Sequence, residues 1–244
     1  MPQCTVMRVL AVVPAYNEAK ALRPVIEGLY RTGACDVCVV DDASTDGTAD
    51  VARRLGAVVL RSPVNLGIGG AVQTGYLWAH HHGYDVAVQV DGDGQHDPAA
   101  LPALLAPVLA GTADLAIGSR FLEAGGYRST ALRRSGIRYL SWFLRLRTGA
   151  RVTDPTSGFR AAGPRALALF ARLYPSDYPE PESIAVAVRA GLRVVEVPVR
   201  MAARAHGVSS IDAARTAYYL AKVSLALLLL PRRARGASGG AATP

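Results

Sequence analysis

The feature that most constrains this chain is an alternation that fills its first 119 residues. Short apolar runs at Val9–Val13, Val37–Val40, Val58–Leu60, Val86–Val90 and Leu115–Ile117 are separated by segments of helical spacing. Those segments are Ala21–Thr32, Asp46–Leu55, Gly69–His82 and Ala100–Leu109; in the first, Leu22, Val25, Ile26 and Leu29 share one face. Apolar strands between helices signal crossover connections and a largely parallel sheet. Ser44 or Asp46 is expected to cap the second helix, and Asp97-Pro98 to open the fourth.

After Arg120 the rhythm changes. A glycine-bearing loop, Leu122–Ser129, leads to a basic helix over Leu132–Arg147. A helix near Pro164–Leu173, the Pro-rich Tyr174–Glu182, a helix at Ser183–Ala190, a strand at Val194–Val199 and a helix from about Ser210 to Leu230 follow. The small, polar segment Arg232–Pro244 is expected to be disordered.

Half of the 244 residues are apolar, enough to bury a sizeable core and to exclude a disordered or fibrous chain. No apolar run reaches the ~20 residues that span a bilayer. Ala217–Leu230 is interrupted by Lys222 and Ser224 and ends at Pro231-Arg232-Arg233. It reads as a helix lying in the headgroup region of a membrane, or docked on the domain. The amino terminus shows no secretory signal pattern. Three cysteines cannot build a disulfide framework, so a reducing compartment is expected, with Cys38 a buried strand thiol.

The net charge of +8 is unevenly spread. Through Ser119 there are 7 basic and 12 acidic residues; from Arg120 onward there are 20 and 7. Only Lys20 and Lys222 are lysines. Genome composition accounts for a bias to arginine but not for an acidic front and a basic back. Guanidinium groups grip phosphate oxygens in pairs, so phosphorylated substrates and acidic lipid headgroups fit the back half. An acidic rim repels a polyanion, which disfavours nucleic acid.

The acidic residues gather at strand ends. Asp91-Gly92-Asp93-Gly94-Gln95-His96-Asp97 follows the fourth strand, Asp41-Asp42-Ala43-Ser44-Thr45-Asp46-Gly47-Thr48 the second, and Pro14-Ala15-Tyr16-Asn17-Glu18 the first. Ligands of open α/β sheets bind at the carboxyl ends of strands. Two carboxylates two residues apart on a glycine-flanked turn suit Mg²⁺ or Mn²⁺, which also takes phosphate oxygens. His96 is read as orienting that loop. The glycines of Asn65-Leu66-Gly67-Ile68-Gly69-Gly70 open a helix whose amino end favours an anion. His80-His81-His82 suit a helix carboxyl end better than a metal. No Walker lysine motif and no Gly-x-Gly-x-x-Gly follows the first strand, which disfavours ordinary ATPase or dinucleotide chemistry.

These motifs, with Gly118-Ser119-Arg120 and Ser157-Gly158-Phe159-Arg160 in the same order, resemble a family two glycosyltransferase of the GT-A fold. The branch most resembled is the dolichyl- or polyprenyl-phosphate mannosyl- and glucosyltransferases, over about Arg8–Ile211. The resemblance implies a Rossmann-like, mostly parallel α/β sheet flanked by helices, with a carboxyl-terminal amphipathic helix. Residues 1–211 would form the GT-A domain, with a nucleotide-sugar half to about 119 and an acceptor half from about 120. Residues 212–231 would be the helix and 232–244 the tail.

The resemblance also implies roles. Pro14, Tyr16, Glu18, Asp42 and Gly69 would hold the nucleotide, with Glu18 on the ribose and Asp42 at the base edge. Asp91, Asp93 and Gln95 would hold the metal on the diphosphate of a GDP- or UDP-linked sugar. Arg204 would cover that diphosphate. Arg120, Arg134, Arg138 and Ser157 would bind a polyprenyl phosphate acceptor, with Arg120 and about Arg134 on its phosphate; Arg133 or Arg138 is the alternative to Arg134 there.

The implied reaction is a single inverting displacement of one hexose, with Asp93, Arg120 and Arg204 as the catalytic set. The Gln-x-x-Arg-Trp motif of processive synthases is absent. A phosphate nucleophile needs no protein base, whereas a hydroxyl acceptor would draw on Glu180, Glu182 or Asp154. The expected location is the cytoplasmic face of a membrane, held peripherally. A hydroxyl acceptor and a non-catalytic nucleotide-sugar-binding protein are the alternatives.

Overall fold

The computed structural model describes residues 7–122, 131–201 and 213–230. Arg204, most of the Leu122–Ser129 loop and the 232–244 tail lie outside them. The strands are β1 (Val9–Ala15), β2 (Asp36–Asp41), β3 (Val58–Arg61), β4 (Val86–Gln89), β5 (Leu115–Ser119), β6 (Arg160–Ala162) and β7 (Val194–Pro198). The helices are α1 (Leu22–Thr32), α2 (Thr48–Arg54), α3 (Gly67–His81), α4 (Leu101–Leu109), α5 (Ala131–Thr148), α6 (Pro164–Arg172), α7 (Pro179–Arg189) and α8 (Ala213–Leu229).

The seven strands form one sheet in the order β3-β2-β1-β4-β6-β5-β7. All neighbours are parallel except β6, which runs antiparallel to both β4 and β5. The inner strands are apolar on both faces because helices cover both. Leu10, Val12, Cys38 and Val40 join one core, lined by α3, α5, α6 and α7, while Val9, Ala11, Val13, Val37 and Val39 join the other against α1 and α4. Cys38 is fully buried, and burial pushes its thiol up to about 12.

The sequence does not announce β6. Three residues cannot display an alternation, and Arg160 at its head reads as polar surface. The strand exists because β4 and β5 both pair with it (Gln89 opposite Arg160, Ile117 opposite Arg160). Helix α7 also begins earlier than expected, at Pro179 inside the Pro-rich segment. Proline lacks an N–H, but the first turn of a helix has no intrahelical partner for one, so Pro179 and Pro181 are tolerated there. Asp97 opens the fourth helical segment through a short 3₁₀ turn, its Oδ1 accepting from the Ala99 N–H (2.9 Å).

The topology builds one functional edge. The carboxyl ends of β2, β1 and β4 lie side by side, and the antiparallel β6 brings its amino end, with Ser157 and Gly158, to the same edge. The carboxyl end of β5 delivers Ser119 and Arg120 there too.

Candidate active site

A cleft of about 440 Å³ opens at this edge. Pro14, Tyr16, Glu18, Asp42, Asp91 and Asp93 line it, together with Asn65, Gly67, Ile68 and Ala71. Six of the residues singled out from the sequence are thereby brought together from three strand ends.

The loops after β1 and β2 are stitched by side chains that the acidic motifs supply. The Asn17 N–H donates to Ser44 Oγ (2.9 Å), the Thr45 N–H to Asn17 Oδ1 (2.9 Å), the Glu18 N–H to Thr48 Oγ1 (3.0 Å) and the Ala19 N–H to Asp46 Oδ2 (3.0 Å). Asn17 has a φ of +56°, a conformation asparagine tolerates better than most residues. Ser44 therefore caps nothing; it ties the two loops. Asp46 accepts from the Thr48 N–H at the start of α2 (3.1 Å). Burial works against the Asp46 carboxylate, but the bonds from Thr48 and the backbone prevail and hold its pKa below the ordinary value.

Asp42 is buried, and both its oxygens accept backbone N–H groups at the amino end of α3: Leu66 at 2.7 Å and Gly67 at 2.9 Å. The anion that the sequence leaves to a ligand at this helix end is thus a side chain of the chain itself. Gly69 is not on the cleft wall. A Cβ there would stand 2.2 Å from the Ser176 carbonyl oxygen and 2.3 Å from that of Pro175, so its lack of a side chain lets α3 pack on the 175–176 backbone.

Asp91 is one-third exposed to the cleft, and Asp93 is buried beside it. Asp93 Oδ1 accepts the Gln95 N–H (3.0 Å), so Gln95 braces the turn through its backbone. Among the described residues no group of three His, Cys, Asp or Glu could hold a metal. Asp91 and Asp93 place two neighbouring carboxylates on the cleft, which fits a hard cation that completes its shell with phosphate oxygens.

Arg120 is buried and grips Asp154 with two charge-assisted bonds, Nε to Oδ2 and Nη2 to Oδ1, each 2.6 Å; Nη2 also reaches Thr156 Oγ1 (2.8 Å). Glu196 on β7 holds the Asp154 loop by accepting the N–H groups of Thr153 and Asp154 (2.8 Å each). Asp154, weighed as a base from sequence, is committed to this pair. Ser157 is buried, its Oγ accepting the Phe159 N–H (3.3 Å) and its carbonyl accepting Arg160 Nε (2.7 Å). Arg160 is almost fully buried and also bonds the carbonyls of Pro155 and Glu180 and the Ser183 hydroxyl, joining the 155–157 loop to the first turn of α7. The only hint of that role in the sequence is an arginine flanked by Phe159 and two alanines.

A second, larger groove of about 620 Å³ runs along α5. Arg134, Arg138, Arg145 and Arg151 line it with Phe121, Ile137 and Trp142. The basic helix expected from the sequence, with Ile137 and Trp142 set among its arginines, is therefore one wall of a cavity. The segment after α5 serves both sites: Val152 and Thr153 line the groove, and Gly158 abuts Asp91.

Comparison with known proteins agrees with this geometry. The glycosyl transferase family 2 model matches residues 10–169. The chain is 38% identical over 221 residues to an undecaprenyl-phosphate mannosyltransferase of Micrococcus luteus, covering 84% of this chain and 88% of that one. It is 34% identical over 233 residues to the polyprenol monophosphomannose synthase of Mycolicibacterium smegmatis, covering 89% and 86%. Among solved structures, glucosyl-3-phosphoglycerate synthase from Mycobacterium tuberculosis, in complex with Mn²⁺ and UDP-glucose, matches with a TM-score of 0.71 at 25% identity over 91% of this chain and 78% of that one. The sheet with its helices is the GT-A fold. With the family model running from Leu10 to Leu169 and relatives matched over most of their length, the chain belongs to glycosyl transferase family 2 and is a glycosyltransferase.

Proposed function

We propose that the chain moves a single hexose, of the mannose or glucose type, from a GDP- or UDP-linked sugar to a polyprenyl phosphate, with inversion at the anomeric carbon. The observation that carries this reading is the pairing of an acidic strand-end cleft with an arginine-lined, aromatic-walled groove joined by one loop. The names of the relatives from Micrococcus luteus and Mycolicibacterium smegmatis support a polyprenyl acceptor. We assign the donor to the half up to about residue 119 and the acceptor to the half beyond it; the linings of the two cavities support this division.

In this reading Tyr16, Glu18 and Pro14 flank the nucleoside. Asp42, with lone pairs left over on each oxygen, accepts from the base edge. Asp91 and Asp93, with Gln95 beside them, hold Mg²⁺ or Mn²⁺; the Mn²⁺ in the glucosyl-3-phosphoglycerate synthase complex supports that choice. When bound, such a cation neutralises charge on the departing diphosphate. Arg204 covers the same diphosphate. Arg134 and Arg138 hold the acceptor phosphate, and Phe121, Ile137 and Trp142 take the first isoprene units. Arg120, through Asp154, fixes the loop between donor and acceptor. The acceptor phosphate has a second pKa of about 6, so it attacks already ionised and needs no base.

Tyr139, Trp142 and Leu146 of α5 and Tyr218, Leu225, Leu228 and Leu229 of α8 are exposed. No helix among the described residues is long and apolar enough to cross a membrane. We read the paired helices as lying on the cytoplasmic membrane surface, next to the groove that takes the lipid.

A second reading, transfer to a hydroxyl, is favoured by Glu180. Glu180 stands in the first turn of α7, and burial raises its carboxyl above the ordinary value against the opposing pull of Arg160. The test is nucleotide diphosphate release by the purified chain with Mn²⁺ or Mg²⁺ and a panel of nucleotide sugars, with and without a short polyprenyl phosphate. The proposal expects release that the lipid phosphate stimulates and that Asp91→Ala abolishes. Stimulation by sugar hydroxyls alone overturns the lipid acceptor, and no release above Asp91→Ala with any donor overturns the donor assignment.

A further inference from the structure

We propose that Gln89 and His96 aim the Asp91 carboxylate at the divalent cation, acting as positioning residues behind the ligand. This rests on the reading of Asp91 and Asp93 as the cation's ligands.

Each Asp91 oxygen faces one buried nitrogen. Gln89 Nε2 donates to Oδ1 at 3.2 Å, and His96 Nε2 stands 3.5 Å from Oδ2. Gln89 is fully buried and His96 is 3% exposed. His96 Nδ1 lies 3.0 Å from the Asp91 backbone nitrogen and accepts its N–H, which assigns the ring hydrogen to Nε2, the atom turned to the carboxylate. The imidazole is stacked on Phe159 with centroids 4.9 Å apart. One ring nitrogen is bonded to the Asp91 backbone and the other lies against its carboxylate. The Gln89 amide is oriented in turn: Tyr174 Oη donates to its Oε1 at 3.4 Å, which leaves Nε2 for Asp91.

Gly158 closes the arrangement. A Cβ there would lie 2.9 Å from Gln89 Nε2 and 3.1 Å from both Asp91 oxygens. The backbone thus packs where a side chain would displace the pair. With Gln89 donating to one oxygen, the His96 ring beside the other and a wall behind, the carboxylate is held with its free edge toward the cleft. Partners of this kind hold a metal-binding carboxylate in one orientation before the ion arrives, and losing one typically costs about 10–100-fold in metal affinity.

The sequence offers two signals for this shell. Gln89 is the one amide inside the apolar run Val86–Val90, and His96 follows the acidic turn directly.

The experiment is a titration of the full chain with Mn²⁺ alone, following free Mn²⁺ by electron paramagnetic resonance, beside thermal unfolding of each variant without metal. Gln89→Leu and His96→Phe are expected to raise the Mn²⁺ dissociation constant about 10–100-fold. His96→Gln, whose amide nitrogen reaches the place of Nε2, is expected to recover most of that loss. Tyr174→Phe removes only the hydroxyl that orients Gln89; it keeps the test open if Gln89→Leu fails to fold, and it is expected to weaken Mn²⁺ a few-fold. A lower melting temperature with unchanged Mn²⁺ affinity in these variants shows a purely structural role and overturns the proposal. Absence of Mn²⁺ binding by the parent chain overturns the cation reading and the proposal with it.

Discussion

Arg120 and Asp154 form a buried two-pronged ion pair, with Nε–Oδ2 and Nη2–Oδ1 both at 2.6 Å. The pair joins the carboxyl end of β5 to the loop that carries one wall of the α5 groove and, four residues on, the glycine that abuts Asp91. Removing one partner of such a pair leaves the other buried and uncompensated, at a cost of about 3–5 kcal/mol. Asp154→Ala is expected to lower the urea midpoint accordingly and to depress transfer further than the lost stability explains. Arg120→Lys keeps the charge but loses the second prong, and is expected to fall between parent and Asp154→Ala. Equilibrium urea unfolding with transfer rates on the same preparations checks both.

Asp42, in the loop after β2, caps the amino end of α3. Caps of this type are worth about 1 kcal/mol, with a range of roughly 0.5–2. Asp42→Ala is expected to cost that much stability and to raise the KM for the nucleotide sugar, because the carboxylate also lines the cleft. Asp42→Asn keeps one acceptor and is expected to lose less stability than Asp42→Ala while still impairing the donor KM. Unfolding midpoints and donor titrations separate the two roles.

The strand–helix alternation made the sheet legible because parallel strands covered on both faces must be continuously apolar, and Val9–Ala15, Asp36–Asp41 and Val86–Gln89 are nearly so. The strand-end carboxylates followed from the same logic. What stayed hidden were contacts between distant segments. Arg120 reads as a phosphate-seeking arginine, and only the fold shows Asp154 against it, 34 residues on. Gly69 reads as part of a phosphate loop, but its neighbours are the carbonyls of Pro175 and Ser176, more than a hundred residues away. β6 was unreadable because a three-residue strand owes its existence to its neighbours' unpaired edges and not to its own pattern.

Asp114 ties the amino ends of β5 and β7 together. Its carboxylate accepts the Arg193 backbone N–H (2.8 Å) and Nε (3.0 Å), with Arg165 Nη1 at 3.3 Å. The Arg193 bond is the main cause that holds its pKa below the ordinary 3.8, with burial opposing. A depressed carboxyl pKa contributes stability that is complete above the unfolded value and is lost as pH falls through the folded one. Asp114→Asn is therefore expected to melt lower than the parent at pH 7, with the gap closing progressively below about pH 4. Melting curves across pH 2–7 check this; a gap that widens on acidification contradicts it.

Glu180 separates the two acceptor classes. Loss of a general base typically costs about 10²–10⁴-fold. If the acceptor is an ionised phosphate, Glu180→Gln is expected to keep transfer within about 10-fold of the parent at pH 7.5, well above the second phosphate pKa of about 6. A fall of about a thousandfold at saturating substrates, in the range of a lost base, points to a hydroxyl nucleophile instead.

The most direct test of the central claim is recovery of the product itself. The purified chain is incubated with Mn²⁺, a sugar-labelled nucleotide donor and a short polyprenyl phosphate, and the label is partitioned between organic solvent and water. Labelled lipid carrying one hexose per phosphate is expected, absent with Asp91→Ala and reduced about 10-fold or more with Arg134→Ala/Arg138→Ala, as for losing at least one phosphate contact worth about 1.4 kcal/mol. Label recovered only as a water-soluble glycoside or free sugar, with none in the lipid extract for any donor, contradicts it.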